Sequence, residues 1–413
     1  MLKIADVVTL ITKMSKSEKR NFKLLAQKTG SKDKLYVQLF DFIEKSKNYD
    51  VALILKSIPS IKKSQLSNVK AMLSKQILRS LIDVHKEEYI ELKAREKFNF
   101  AKVLYTMGLY RASLDMLDVV IKMAEEYHMK PLGFMAINFE KLIESQHVTK
   151  SMSPRAYKLA TTSDNIVNQL SVANELSNLA LLLYARYLEN GYVKNEEEYK
   201  QLHQYFHSLL PIYDINDLGF YEKLNLYQSF VWFYYMAQNF VSYYKYSIKW
   251  ILLFEEYPMM MRPATIHYIK GLNNVLTALF MAQKQEMFND VYIKLNEISI
   301  DKSKNLSVNE KAQLSLFKYI HGLNHIFIGA NYQSGYSFIE NLEMTIAKQT
   351  YPWDVSRIMV FNYKIACFYF GIGDLSTTIS YLNKVENSFQ PRLKVDIQCF
   401  ARVLNLIAHY DLG

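Results

Sequence analysis

A chain of 413 residues, half of them hydrophobic, has ample material for burial, and 12 glycines and 8 prolines are too few for an all-β chain. Two cysteines, Cys367 and Cys399, with no paired spacing exclude a disulfide framework and a thiol-rich zinc site, and they fit a reducing cytoplasm. The net charge of +10 is unevenly placed: residues 1–100 hold 21 Lys and Arg against 11 Asp and Glu, while residues 101–413 hold 29 against 29.

At the N-terminus the apolar stretch Val7 to Ile11 is interrupted by Thr9, preceded by Asp6 and followed by no small-residue cleavage site, so it is not read as a signal peptide. No apolar run approaches the roughly 18 to 20 residues of a spanning helix, and the expectation is a soluble cytoplasmic protein with no membrane partner. The first 90 residues read as a basic bundle of four helices. Ser15 or Ser17 caps the first, which carries Phe22, Leu24 and Leu25 to a turn at Gly30; the next carries Leu35, Leu39, Phe40 and Ile43; a short one spans Val51 to Ile58 before Pro59. The longest starts near Ser64 with a stripe at Leu66, Val69, Met72 or Leu73, Ile77, Leu81 and Val84. Its other side is basic. Residues 51–82 contain no acid, and Lys63, Lys70, Lys75 and Arg79 are the candidate polyanion-binding residues, the alternative being a lysine-rich solvated face.

Residues 91–413 read as an array of helix pairs. Ala101, Leu104, Gly108, Tyr110, Ser113, Leu117 and Val120 recur as Ala366, Tyr369, Gly373, Leu375, Thr378, Leu382 and Val385 at the same offsets. The small Ala permits close helix approach, and the Gly ends the first helix because it enters the left-handed conformation without penalty. Between the two copies, turn signals stand at Pro131-Leu132-Gly133 and at Ser151 to Pro154, and a long helix runs to Asn190-Gly191. Asn195 and Glu196, Glu197 and Glu198 open its partner. Further turns near Gln238, Lys284 and Ala330 lead to Gly373 at intervals of 47, 46, 46 and 43 residues. Asp354 and Asp374 cap the last pair, and Pro391 suits the first turn of a closing helix to Tyr410 that shields the end of the array.

The Gly108 and Gly373 units resemble tetratricopeptide repeats, which implies an all-α superhelical array of antiparallel helix pairs that binds proteins. The spacing exceeds the 34 residues of that family, and the Gln238 unit has bulky Tyr243 and Trp250 where small side chains are expected. The opening Ser17-Glu18-Lys19-Arg20-Asn21-Phe22-Lys23-Leu24 resembles a group of uncharacterised bacterial helical-repeat proteins, and that resemblance implies no activity.

Chemistry is sparse. His203 with His207 and His321 with His325 have i,i+4 spacing, but Gln204 and Gly322 stand where a zinc protease has its Glu, and two nitrogens alone do not make a metal site. No phosphate loop, nucleophile elbow or carboxylate–histidine constellation occurs, so no enzyme, cofactor or metal is expected. Fifteen aromatics crowd residues 220–257. A helix apolar all round is one packed on several sides; the aromatics left for a partner groove are Trp232, Tyr235 and Tyr244, with Tyr363 and Phe370 in the last unit. Tetratricopeptide proteins that clamp a terminal carboxylate carry Lys, Arg and Asn on their first helices, whereas the resembling positions Val360, Tyr363, Cys367 and Phe370 are uncharged, which favours an apolar or aromatic ligand face. The expected function is a scaffold holding a peptide or partner protein. The alternatives are a nucleic-acid or ribosome-associated factor acting through the basic block, and a peptide-sensing regulator.

Overall fold

The computed structural model describes residues 2–28, 35–47, 49–147, 153–298, 306–333, 335–387 and 395–412. Gly30, Ser151 and Pro391, expected at turns and at a helix start, lie outside the described residues. The described residues are helical throughout and contain no strand. None of their helices is long and apolar enough to cross a membrane. Packing divides the chain into two compact units, residues 1–123 with 143–149 and residues 124–142 with 150–413.

The first unit opens with α1 (Ile4–Lys13), α2 (Lys16–Lys28), α3 (Leu35–Ser46), α4 (Val51–Ser57), the 3-10 turn Lys63–Gln65 and α5 (Leu66–His85). The helix α1 is one more than the sequence suggested, and its Val7 and Ile11, one turn apart, are fully buried. Ser15 caps α2: its hydroxyl accepts from the Glu18 N–H at 3.2 Å, and the Glu18 carboxylate accepts from the Ser15 N–H at 2.6 Å. Leu24, expected inside, is exposed, because the buried face of α2 runs through Phe22 and Ala26. These side chains share one core with Leu39, Phe40, Ile43, Ile54, Leu73 and Ile77. On α5 the expected stripe is buried at Leu66, Val69, Leu73 and Ile77, while Met72 is exposed.

The pairs follow: α6 (Ile90–Thr106), α7 (Tyr110–Glu126), α8 (Lys130–Gln146), α9 (Ser153–Asn190), α10 (Glu196–Leu209), α11 (Phe220–Met236), α12 (Phe240–Glu256), the 3-10 turn Pro258–Met261, α13 (Thr265–Met281), α14 (Gln285–Glu297), α15 (Val308–Ile328), α16 (Gly335–Ala347), α17 (Val355–Gly371), α18 (Leu375–Asn387) and α19 (Val395–Leu412). One turn recurs between partners. After α6, Gly108 takes φ 76°, its N–H donates to the Tyr105 carbonyl, and the Leu109 N–H reaches back to the Leu104 carbonyl, both at 2.9 Å. This is the Schellman arrangement, which satisfies carbonyls that the helix end leaves without partners. Gly373 repeats it with φ 80°, the Asp374 N–H reaching the Tyr369 carbonyl at 3.0 Å. The same bonds close α11 at Gln238, α13 at Gln283 and α15 at Ala330, with φ of 54°, 53° and 49°. The expected turn near Lys284 therefore centres one residue earlier.

After two of these turns a side chain restarts the chain as helix. Asn239 accepts from the Ser242 N–H and Asp374 from the Thr377 N–H, while Asn195 and Asp354 cap α10 and α17 as expected. The Pro131-Leu132-Gly133 expectation needs correction. The turn is at His128, Pro131 is the second residue of α8, and Gly133 lies inside that helix, where an added Cβ would stand 3.2 Å from the Ala124 Cβ. A proline in a first helical turn lacks only an N–H that the helix would leave orphaned anyway.

Ala101 and Ala366 are fully buried, and the Ser113 hydroxyl donates to the Ala101 carbonyl at 2.8 Å, tying α7 to α6. In the Gln238 unit the bulky Trp250 is accommodated because it lies against Gly271 of α13, where a Cβ would come within 3.1 Å of the indole. The indole N–H donates to the His267 carbonyl at 3.0 Å. Phe338 against Gly322 and Phe368 against Gly335 repeat the device. A continuous core runs from Ile269 on α13 to Ala401 on α19. The closing helix buries Ala401 and Ala408 and leaves Phe400, Val403, Leu406 and Tyr410 exposed on its outer side.

Two predictions follow from this packing. Leu382 is fully buried on α18, while the exposed Lys384 rests its ammonium 3.8 Å from the Tyr381 ring centroid. Leu382→Ala should cost about 2 to 5 kcal/mol in denaturant unfolding, and Lys384→Ala less than about 1 kcal/mol. Equal losses would show that the helix phase is wrong. Ala330 carries a Cβ in the left-handed region where Gly108 carries none. Ala330→Gly should then stabilise by about 0.5 to 1 kcal/mol, the relief of backbone strain exceeding the entropy glycine adds to the unfolded chain, and Gly108→Ala should destabilise by a similar amount. Thermal melts of the two variants moving in the same direction would contradict this account.

Candidate partner-binding face

Numbering each first helix back from its left-handed residue brings equivalent side chains together. Three residues before it stands an aromatic ring in five of them, Tyr105, Tyr235, Phe280, Phe327 and Phe370, while α9 carries Leu188 before Gly191. Counting further back from the later turns, each helix presents a half-buried stripe. On α11 this is Tyr221, Asn225, Gln228, Trp232 and Tyr235; on α13, Lys270, Asn273, Asn274 and Thr277; on α15, Gln313, Ile320 and Phe327; on α17, Arg357, Val360, Tyr363, Cys367 and Phe370. Steps of three and four residues, or of seven on α15, put each set on one side of its helix. Hydrogen bonds from α17 to α15 and between α15 and α13 set these three helices side by side.

None of the fifteen aromatics between residues 220 and 257 is exposed. Phe220, Phe233, Tyr243, Trp250 and Phe254 are core residues, and the others are half-buried. Trp232 and Tyr235 lie on the α11 stripe. Trp232 packs at 5.0 Å and 5.3 Å between ring centroids on Tyr184 and Tyr187 of α9, and the Tyr192 hydroxyl donates to the Tyr235 hydroxyl at 2.6 Å. Burial among these tyrosines raises the Tyr235 phenol well above its usual value. Tyr244 stands apart from the other candidates: it belongs to α12, the second helix of its pair, and packs against the core clusters on either side of it. Tyr363 and Phe370 do share the α17 stripe.

A polar chain crosses the three adjacent first helices. The Lys364 ammonium donates to Asn324 Oδ1 at 2.6 Å, the Asn324 amide nitrogen lies 3.3 Å from His321 Nδ1, and His321 Nε2 lies 3.0 Å from Asn273 Oδ1. The consistent assignment gives His321 a proton on Nε2 and an acceptor at Nδ1, so the ring is neutral. Burial, with the Lys364 charge beside it, lowers the His321 pKa to about 3. Burial also lowers Lys364 to about 8, and its ammonium lies 5.5 Å and 5.7 Å from the Phe280 and Phe327 ring centroids. No carboxylate pairs with Lys364 or with Lys270 among the described residues. Burial, and then the nearby Arg357 charge, hold Lys270 below its ordinary value. The uncharged positions Val360, Tyr363, Cys367 and Phe370 are thus flanked by charge at Arg357 and Lys364. The sequence signal for it was present in the absence of any acid from α13 and α17.

The histidine pairs part company. His321 is fully buried in the polar chain, whereas His325 stacks at 5.0 Å on Tyr292. His203 and His207 lie with ring centroids 4.2 Å apart and planes tilted by 46°. Among the described residues no three His, Cys, Asp or Glu side chains converge. The polyanion candidates Lys63, Lys75 and Arg79 are exposed and Lys70 is half-buried, all in the first unit. On the side of α15 away from its stripe, a cleft of about 640 Å³ is lined by Tyr292, Asn296, Tyr319, Phe338, Asn341 and Tyr351. Comparison with protein-family models, with curated proteins and with solved structures finds no match to this chain.

The buried histidines make stability depend on pH. Burial lowers His321 to about 3 and His267 to about 4, the latter helped by the Lys270 charge, so between those values and 6.5 the unfolded chain binds protons that the folded chain refuses. Stability is therefore complete above 6.5 and lost on acidification below it. His321→Gln, which keeps an amide donor and acceptor, should flatten the fall in unfolding free energy between pH 6 and 4.5 by up to about 1.4 kcal/mol per pH unit. An unchanged slope would show that His321 carries a proton in the folded state.

Proposed function

We propose that this chain is a non-enzymatic interaction scaffold: a tetratricopeptide-like superhelical array of helix pairs, following a basic N-terminal bundle, that holds an extended segment of a protein partner. The observation that carries the reading is the repeated register of the half-buried stripes on α11, α13, α15 and α17. Side chains held half out of water by fixed turns lose little rotamer freedom on binding, which favours recognition. The amides of Asn225, Gln228, Asn273, Asn274 and Gln313 can each donate and accept, as an extended backbone requires. Trp232, Tyr363 and Phe370 provide apolar area for side chains between them.

The exposed Lys63, Lys75 and Arg79 favour a second reading, in which the N-terminal unit docks on RNA or a ribosome through phosphates. Selection of the full chain against a displayed random-peptide library separates the two. The scaffold reading expects bound peptides whose affinity falls at least about tenfold, or 1.4 kcal/mol, in Trp232→Ala and Tyr363→Ala. Reversal of Lys63, Lys70, Lys75 and Arg79 to Glu should leave that affinity unchanged while abolishing salt-dependent retention on heparin. Failure to enrich any peptide, together with heparin retention lost on charge reversal, would move the assignment to the polyanion reading.

A further inference from the structure

Charge in the later pairs is sorted by helix. The first helices α13 and α17 contain no Asp or Glu, and α15 contains only Glu310, whose carboxylate accepts from the Ser307 N–H in a capping box. The second helices hold the acids: Glu286, Asp290 and Glu297 on α14, Glu340 and Glu343 on α16, Glu386 on α18. Nothing in the packing of a helix pair demands this sorting, since half-exposed positions accept either sign. Its effect is a face on which Lys364 meets an amide and two rings, and among the described residues the carboxylate paired with these cations is Asp354, which meets Arg357 at 3.1 Å.

The placement of these cations is costly to the protein alone. Enclosing an ammonium without a carboxylate costs free energy that one amide oxygen recovers only in part. The Arg357 charge bears on Lys270 from a different helix, so two like charges are held near each other in a partly dry setting. A ligand carboxylate would relieve both penalties at once. Resting on the scaffold reading above, we propose that the segment held across α13, α15 and α17 is acidic, its carboxylates taken by Lys270, Arg357 and Lys364. Lys364 is set between one amide and two aromatic rings, and Lys270 and Arg357 lie on separate helices, which suits carboxylates spaced along a peptide. A nucleic-acid backbone would be met by exposed cations, as at Lys63, Lys75 and Arg79 of the first unit.

The test uses the full chain and the same random-peptide selection, scored for Asp and Glu content against the starting library. The strongest peptide is then made with its acids intact, with each acid replaced by its amide, and with a free or an amidated C-terminus, and fluorescence anisotropy reads the affinities. The expected result is an acidic pool and a peptide whose amide analogue binds at least tenfold more weakly. Lys270→Met with Lys364→Met should lower the affinity of the acidic peptide by the same factor and leave the amide analogue within twofold, with Lys384→Met as a silent control. Lys270→Gln, at a half-exposed position, supplies a second variant should the double variant melt early. Amidation of the C-terminus alone abolishing the effect would place the carboxylate at the chain end, and its indifference would place it on side chains; either supports an anionic ligand. Enriched peptides with no excess of acid would overturn this inference and leave the scaffold reading standing, whereas a library that yields no peptide would remove both. Binding of a labelled single-stranded RNA that depends on Lys270 and Lys364, without any peptide binding, would replace the acidic segment with a nucleic acid.

Discussion

Everything in the paired region hangs on one backbone constraint, the left-handed residue that ends each first helix. It fixes where the helix stops, turns the chain back, and at Gly108, Gln238, Gln283, Ala330 and Gly373 delivers two N–H groups to carbonyls that would otherwise be orphaned. Because Gln238, Gln283, Ala330 and Gly373 follow one another at 45, 47 and 43 residues, the helix pairs between them span nearly fixed lengths of chain. Equivalent side chains therefore recur at equivalent heights. The common stripes, the aromatic ring three residues before these turns and the sorting of charge all inherit their register from it.

The core solves a second problem created by those fixed lengths. Long first helices approach their neighbours over many turns, and Trp250, Phe338 and Phe368 fill the space by lying on Gly271, Gly322 and Gly335. Each aromatic gains the full face of a backbone at the cost of a glycine inside or at the start of a helix, which weakens that helix by roughly 1 kcal/mol. An aromatic side chain of this size recovers more than that on burial, roughly 1.5 to 3 kcal/mol. The exchange also makes each contact specific to its own pair, because only a glycine at that height admits the ring.

How much of this was legible depended on what the physics writes into a single residue type. At Gly108 and Gly373 the left-handed conformation selected glycine, so those two turns stood out in the sequence. At Gln238, Gln283 and Ala330 the same conformation is held by hydrogen bonds around an ordinary residue, and only the period betrayed them. Pro131 and Gly133 misled for the opposite reason: both carry turn signals, but one occupies a helix start and the other a close contact with Ala124. The aromatic run at residues 220–257 could be read for helix but not for neighbour count, and α9 with α13 supplies the neighbours that absorb it. Balanced charge totals over residues 101–413 concealed the sorting of acids to second helices, since totals carry no information about which helix bears which sign.

The polar chain from Asn273 to Lys364 is where stability and the proposed recognition pull apart. A purely structural ladder between α13, α15 and α17 would be better made from Leu and Ile, which would bury the same volume with no desolvation cost. His321 and its two amide partners satisfy one another and can be kept for register alone, because a shift of one residue would break both bonds. Lys364 is different: Asn324 accepts one of its three protons, and the Phe280 and Phe327 rings offer their faces in place of a carboxylate. Each ring steadies a desolvated cation by about 2 kcal/mol, against the several kcal/mol that enclosing an ammonium costs. On the proposed reading, the balance is met by a ligand's negative charge on the same face that carries the half-buried stripes.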